Sequence, residues 1–273
     1  MNSLSRKYSP IYFGLLLLTA SATANANTLM IDFGPTTVTG ADLTNSPYHT
    51  ENSEYTGTSW NHVESTDVTS GVLWGDGASA DGVGINVGRS SFLNEYTLTF
   101  AGAPNSFALG SQLNTGVFSD TSVGKDGNFY TKMTGVLISG LSAGDYEIYV
   151  VGANTNLSAS DGAAMGFWAI STDTTANIDA TPYLESTPQA TSTNTIVSSW
   201  VEGSNYAKLT ITLTEENPYL VLFVTGTTLT EDKGYLNAIQ ISSIPEPEMA
   251  SIGFGIAILG LVLVKRRVRH SRQ

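Results

Sequence analysis

No cysteine occurs in the 273 residues, so a disulfide framework, a thiolate metal site and a cysteine nucleophile are all excluded. Charged residues are scarce at 13%, and the middle of the chain lacks the runs of Ala, Leu, Glu and Lys that build long surface helices. Basic charge is scarcer still away from the ends. Arg6 and Lys7 lie near the start, and Lys265, Arg266, Arg267, Arg269 and Arg272 lie near the end, which leaves five cations between them against 22 of the 24 acids. The middle therefore carries about −17, a balance that disfavours nucleic acid or anionic lipid as its partner and favours solubility, cations or neutral partners.

The ends have their own logic. Residues 1–26 combine a basic start, an apolar run from Ile11 to Leu18 and small residues leading to Ala24-Asn25-Ala26. This is the three-part layout of a secretory signal peptide, with a mature start expected near Asn27; the run is too short to serve as a retained anchor. Met249 to Val264 is an uncharged apolar stretch of 16 residues, which as a helix would reach about 24 Å. That is slightly short of a bilayer core, a mismatch that snorkelling basic flanks and local thinning accommodate. The basic tail KRRVRHSR then stays in the cytoplasm and everything before Pro245 lies across the membrane.

Hydrophobicity does not explain Pro245-Glu246-Pro247 ahead of that helix. Each proline fixes its own φ and pushes its predecessor out of the helical region, so the segment is extended and suited to a processing enzyme's cleft. Pro-Glu-Pro, then an apolar helix, then an Arg-rich end resembles the PEP-CTERM sorting signal of Gram-negative bacteria. The resemblance implies recognition by a membrane-embedded exosortase, a transpeptidase-like cysteine enzyme that cuts near the motif. It also implies an exported protein of bacteria that make exopolysaccharide and biofilm matrix. On that resemblance Pro245, Glu246 and Pro247 are the processing signal, and Lys265, Arg266, Arg267 and Arg269 belong to the membrane stop and basic tail. The plainer alternative is a single-pass anchor with a chance Pro-Glu-Pro. The chain thus divides into a signal peptide (1–26), an ectodomain (27–243) and a sorting segment (244–273).

The middle has period two. In YAKLTITLT, Ala207, Leu209, Ile211 and Leu213 alternate with Lys208, Thr210, Thr212 and Thr214, as in a strand with one wet face. PYLVLFVTG (218–226) is apolar on both faces and belongs at the centre of a sheet. Further strands are expected over 29–33, 94–100, 129–138, 145–153, 165–170, 195–201 and 235–241, whereas residues 40–90 are polar and Gly-rich with few clear strands. Many short strands separated by Gly, Asn and Asp turns predict an all-β ectodomain, a β-sandwich or jelly roll. IDFG (31–34), ISGLSAGDYEIYVVGANTN (138–156) and YLNAIQI (235–241) resemble the β-sandwich ectodomains of PEP-CTERM proteins, of galactose-binding-like or carbohydrate-module type. That resemblance implies a jelly roll and glycan contact.

Candidate chemistry is thin. Gly140-Leu141-Ser142-Ala143-Gly144 matches G-x-S-x-G, but a nucleophile elbow needs a helix after the serine and a histidine later in the chain. A strand-like run follows instead, and His49 and His62 both precede Ser142, so a Gly-framed turn is the better reading. The two histidines lack metal-ligand spacing and read as surface residues. Asp76, Asp81, Asp126 and Asp161 lie beside glycines, and hard oxygens on tight loops are what a structural Ca²⁺ requires; ordinary Asp-Gly turns use the same residues. Trp60, Trp74, Tyr48 and Tyr55 fall in the loop-rich part and are the candidate glycan contacts, against partial burial under loops, while Trp168 and Trp200 fall in strand-like core runs. The expectation is a non-enzymatic, exported protein, transiently held in the inner membrane and then in the cell envelope or outside it. Its ectodomain serves glycan binding, adhesion or structure, with exopolysaccharide and the exosortase as partners and no nucleic acid. The competing expectation is an envelope polysaccharide-active enzyme using carboxylates in the 40–90 loops.

Overall fold

The computed structural model describes residues 27–108, 116–118, 123, 126–153, 164–193, 198–227 and 233–245. Its strands are β1 (Thr28–Phe33), β2 (Asn61–Val63), β3 (Gly84–Ser90), β4 (Thr97–Thr99), β5 (Asn105–Ala108), β6 (Asp126–Thr131), β7 (Met133–Ser139) and β8 (Gly144–Val151). They continue as β9 (Met165–Thr172), β10 (Ile178–Asp179), β11 (Ala190–Ser192), β12 (Ala207–Leu213), β13 (Tyr219–Gly226), β14 (Lys233–Leu236) and β15 (Ala238–Ser243). One-turn helices α1 (Pro47–Glu51) and α2 (Thr181–Leu184) interrupt them. The chain is all-β over these residues, and none of the described helices is long and apolar enough to cross a membrane. The apolar stretch 249–264 lies outside the described residues, as do Glu246, Pro247 and the 1–26 leader.

The strands form a five-stranded sheet in the order β12-β8-β15-β1-β2, a seven-stranded sheet in the order β10-β4-β3-β7-β13-β9-β11, and a small third sheet, β14-β6-β5. Leu29, Ile31, Phe33, Ile148, Val150, Ile239 and Ile241 of the first sheet share one buried cluster with Ile85, Val87, Val136, Ile138, Leu220, Leu222 and Val224 of the second. Period-two alternation puts every second residue of these strands into that shared core. The remaining residues face outward, and part of each outer face is covered in its turn. Val221 and Phe223 of β13 pack with Trp168, Leu137, Met133 and Ala180, with Tyr183 and Leu184 against them, so the doubly apolar β13 is buried on both sides between β7 and β9. On the far side of the first sheet, Tyr149, Val151 and Ala238 pack with Tyr48, Trp200 and Phe118.

Four expected elements differ from what is found. FYTKMTGVLI is two strands, because Lys132 takes a left-handed φ of 68° and sends β6 to the third sheet while β7 joins the second. YLNAIQI is likewise split at Asn237, with β14 in the third sheet and β15 in the first. Within 94–100 only Thr97–Thr99 is strand, and residues 198–201 of the expected 195–201 strand are not strand. The 40–90 region holds β2, β3 and α1, so it is more ordered than its glycines suggest.

Asn237 is fully buried and bonds in three directions at this corner. Its N–H donates to Val151 O at 2.9 Å and its carbonyl accepts from Phe33 N at 2.8 Å, while its side-chain Oδ1 accepts from Ala153 N at 2.7 Å. The described strands and all three core clusters draw only on residues 28–243, so a fragment spanning 27–245 carries its own core. In that fragment Asn237→Ala leaves the Ala153 N–H buried without its acceptor and is expected to cost about 1–3 kcal/mol. Urea unfolding checks this; an unchanged midpoint would mean that the corner does not depend on the side chain.

Candidate functional site

The four nominated aromatic residues do not stay together. Tyr48, Tyr55 and Trp74 line one cleft of about 400 Å³, with Asn27, Thr28, Glu54, Thr56, Thr58 and Asp76. Trp60 does not line it. The Trp60 indole N–H donates to Leu43 O at 2.9 Å, and its ring packs against the outer cluster of the first sheet.

Local structure explains how the cleft is built. Ser46 caps α1, its hydroxyl accepting from His49 N, and Pro47 at the first helical position needs no N–H partner. The turn of helix then orients Tyr48 and His49 inward, both buried. Tyr48 is held by its N–H on Gln240 Oε1 at 3.0 Å and by its phenol, 3.0 Å from Ser242 Oγ. His49 is not a surface residue, because its imidazole ties the helix to the cleft wall: Nε2 lies 2.7 Å from Gly57 O and Nδ1 lies 2.6 Å from Ser46 Oγ. A carbonyl can only accept, so Nε2 carries the proton and Nδ1 accepts from the serine. Burial lowers the His49 pKa, which keeps that neutral tautomer in place.

Two glycines make room for the third wall. A Cβ on Gly75 would stand 1.9 Å from Tyr55 Oη, and one on Gly57 would stand 2.3 Å from it. The Tyr55 ring also meets Tyr48 edge-on, with centroids 4.9 Å apart. Gly75 is tied to the first sheet through its N–H on Thr28 O at 2.8 Å, and the 74–78 turn closes through Trp74 N to Ala78 O at 2.8 Å. The cleft therefore has fixed aromatic walls and a polar lip that includes two acids, with no cation among its described lining residues. Such a surface suits an uncharged, hydroxyl-rich ligand.

Next to it, Tyr149, Tyr206, Glu51, Glu147 and Lys208 form a network. Lys208 Nζ donates to Glu51 at 2.8 Å and to Glu147 at 2.9 Å. The Tyr149 phenol lies 2.9 Å from Glu51 Oε2 and 2.7 Å from Glu147 Oε2, and the Tyr206 phenol donates to Glu51. Burial alone would raise the Glu51 pKa; the bonds from Lys208, Tyr206 and Tyr149 outweigh it and hold the carboxylate below its ordinary range. A carboxylate stabilised in its ionised form is a poor proton donor near neutral pH. The network is a strut that fastens the C-terminus of α1 to β8 and β12.

The most perturbed carboxyl lies elsewhere. Asp32, 1% exposed, accepts from Val38 N at 3.0 Å and stands 3.7 Å from His62 Nδ1, an ion-pair distance rather than a hydrogen bond. Burial pushes its pKa up to about 6, with a further rise from Asp126 and an opposing pull from His62. Asp126 itself is buried and accepts from Thr36 N at 2.6 Å. Thr28 marks the cleft end of β1 and Asp32 lies four residues along it, so this cluster is separate from the cleft.

Among the described residues the nominated calcium ligands do not converge. Asp76 and Asp81 are exposed turn residues, Asp76 accepting from Ala78 N at 2.9 Å and Asp81 from the Ser79 hydroxyl. Asp126 is bonded to Thr36, and Asp161 lies outside the described residues. No group of three or more His, Asp or Glu among the described residues is placed to hold a metal ion. Nor does the G-x-S-x-G segment form an elbow: Gly140, at φ 79°, turns the chain from β7 into β8. Of the processing signal, Pro245 alone is among the described residues, just beyond β15.

Asp32 makes stability depend on pH. An ordinary Asp loses its proton near pH 4 and folded Asp32 near 6, so between these values the folded state binds a proton that the unfolded chain has lost. Its contribution is complete below about pH 4 and falls as pH rises through 6. His62 acts in the same direction, since the Asp32 carboxylate raises its pKa. Asp32→Asn is expected to remove most of that slope, worth about 3 kcal/mol at most, in melting curves taken from pH 4 to 8. A slope unchanged by the substitution would place the titrating group elsewhere. No family model matches the chain, and no curated protein or solved structure matches it either.

Proposed function

We propose that the chain is an exported, exosortase-sorted protein of the cell envelope or extracellular matrix. Its all-β unit, a sandwich of the jelly-roll kind, binds a glycan in the cleft walled by Tyr48, Tyr55 and Trp74. The observation that carries the glycan reading is the convergence of three aromatic walls and a polar lip with no cation among its described lining residues, fixed by Gly57 and Gly75. Sugar rings offer apolar faces for stacking and hydroxyls for polar groups at the rim. The sorting part rests on Pro245-Glu246-Pro247, the apolar stretch and the basic end.

A second reading has one specific support: Glu54 and Asp76, both in the 40–90 region, line the same cleft. Two carboxylates flanking a bound sugar are the requirement for glycoside hydrolysis. Affinity electrophoresis of the 27–245 fragment through neutral polysaccharides separates the two. Binding predicts retardation without loss of polymer, weakened about tenfold, or 1.4 kcal/mol, by Trp74→Ala. Polymer shortening abolished by Glu54→Gln or Asp76→Asn would make the protein an enzyme. Free migration through every polymer tried would overturn the cleft reading.

Sorting has its own test. The mature protein recovered from cells is expected to end near Pro245 and to lack KRRVRHSRQ, and Glu246→Ala is expected to leave unprocessed protein in the membrane. An intact basic tail in wild-type cells with an active exosortase would refute the sorting signal.

A further inference from the structure

The cleft does not end at Trp74. A second hollow of about 320 Å³ adjoins it, with Ser142, Ala143, Asp145, Ser243 and Ile244 in its lining, and the two share Asn27 and Trp74 as common walls. Asn27 leads into β1, Ser243 ends β15 and Gly144 opens β8, and these strands are neighbours in the order β8-β15-β1. With neighbouring strands about 4.8 Å apart, the second hollow carries the cleft roughly 10 Å farther across the strand ends.

Trp74 is the tryptophan left for a ligand. Trp60 and Trp200 spend their indole N–H groups on Leu43 O and Asn45 Oδ1, and the Trp168 N–H is buried beneath the outer layer of the second sheet. Trp74 is half-buried, and no hydrogen bond among the described residues engages its indole N–H. It stands at the junction with a ring face for stacking and a donor for a hydroxyl.

The second hollow is as firmly built as the first. The Tyr146 phenol donates to Ser142 O at 2.8 Å, and Ile244 N donates to Asp145 O at 2.8 Å. Gly140, at φ 79°, runs so close to Gly82 that a Cβ would stand 2.0 Å from its carbonyl oxygen. Walls held in this way lose little freedom when a ligand arrives. Ser142 and Ala143 remain exposed, so the hollow is open to solvent.

Either hollow alone lies at the lower end of the roughly 300–1,000 Å³ that encloses a small ligand. Two of them in line, one on each side of an indole, suit a ligand that continues past it. We propose that the joined groove takes an internal stretch of a linear, neutral glycan, with sugar rings on both sides of Trp74, and not a single terminal sugar. This rests on the glycan reading of the cleft and adds to it a requirement for chain length. Asp145 extends the acidic lip begun by Glu54 and Asp76, so a chain carrying carboxylates would meet like charge along its length.

Calorimetric titration of the 27–245 fragment tests this with dimers and hexamers of β-1,4-linked glucose, α-1,4-linked glucose and β-1,4-linked N-acetylglucosamine. In at least one series the hexamer is expected to bind more tightly than the dimer by more than about tenfold. Ser142→Leu with Ala143→Leu fills the second hollow at two exposed turn positions, and the Ser142 carbonyl that holds Tyr146 is kept. That double variant is expected to bring the hexamer down to the affinity of the dimer, with dimer binding and melting temperature unchanged. Trp74→Ala is expected to weaken both. A hexamer of galacturonic acid is expected to bind at least about tenfold more weakly than the best neutral hexamer. Equal binding of dimer and hexamer, or a hexamer advantage that survives the double variant, would overturn the proposal and leave the cleft reading standing. Galacturonic acid bound as tightly as the neutral chains would overturn it too, and no binding in any series would overturn it together with the cleft reading.

Discussion

The corner at Asn237 is the constraint on which the arrangement of sheets depends. One residue separates β14, in the third sheet, from β15, in the first. A chain that changes sheets in a single step must bury backbone polar groups away from any ladder, and each unpaired group would cost as much as a lost core contact. Asn237 resolves this with its own N–H, its own carbonyl and its side chain, which bond β8, β1 and the residue after Gly152. The left-handed Lys132 makes the companion change of direction between β6 and β7. A non-glycine residue in that region costs about 1–2 kcal/mol, here offset by the two sheets it allows to form. Close approach follows from both corners. Gly234 runs so near the second sheet that a Cβ there would stand 2.0 Å from Val224 O, which leaves no room for any side chain on that face of β14.

Period two in the sequence identified what was buried more reliably than where the chain turned. YAKLTITLT and PYLVLFVTG became β12 and β13, one with a wet face and one without, because solvent exposure alone sets the pattern of alternation. Trp168 and Trp200 are core residues, as their strand-like surroundings suggested. The corners were not legible, since apolar alternation runs straight through FYTKMTGVLI and YLNAIQI, and neither Lys nor Asn announces a change of sheet. β3 was missed for the opposite reason. Gly84 and Gly88 look like loop residues, yet Gly88 lies opposite Gly135 on β7, and the Phe100 ring fills the space where its Cβ would be. A strand can carry glycine when a neighbour's aromatic ring supplies the missing packing.

The cleft was half legible. Tyr48, Tyr55 and Trp74 share a loop-rich stretch with Trp60, and composition could not tell the three that line the cleft from the one that pins Leu43. The discriminating signals were Gly57 and Gly75, which look like ordinary loop glycines and are the slot that admits the Tyr55 phenol. His49 was misread because a histidine in a polar stretch has no sequence mark of burial. Its two ring nitrogens are used as a brace. Of the described calcium candidates, Asp76 and Asp81 serve as exposed turn residues, whereas Asp126 is buried in β6 and bonded to Thr36.

Charge, finally, is a property of places and not of averages. The acid excess of the middle correctly describes the cleft, whose lip carries Glu54 and Asp76 and no cation among its described lining residues. At the opposite end three of the four cations among the described residues between the two ends lie against aromatic rings. Stacking on an aromatic face stabilises a cation without neutralising it, as a carboxylate partner would. Lys208 combines the two kinds of partner: its ammonium is held by Glu51 and Glu147 and stands 4.9 Å from the Tyr149 ring. Under the sorting reading the chain leaves beside the cleft, so the exposed Phe92 and Leu93 stand at the far end of the strands from that exit.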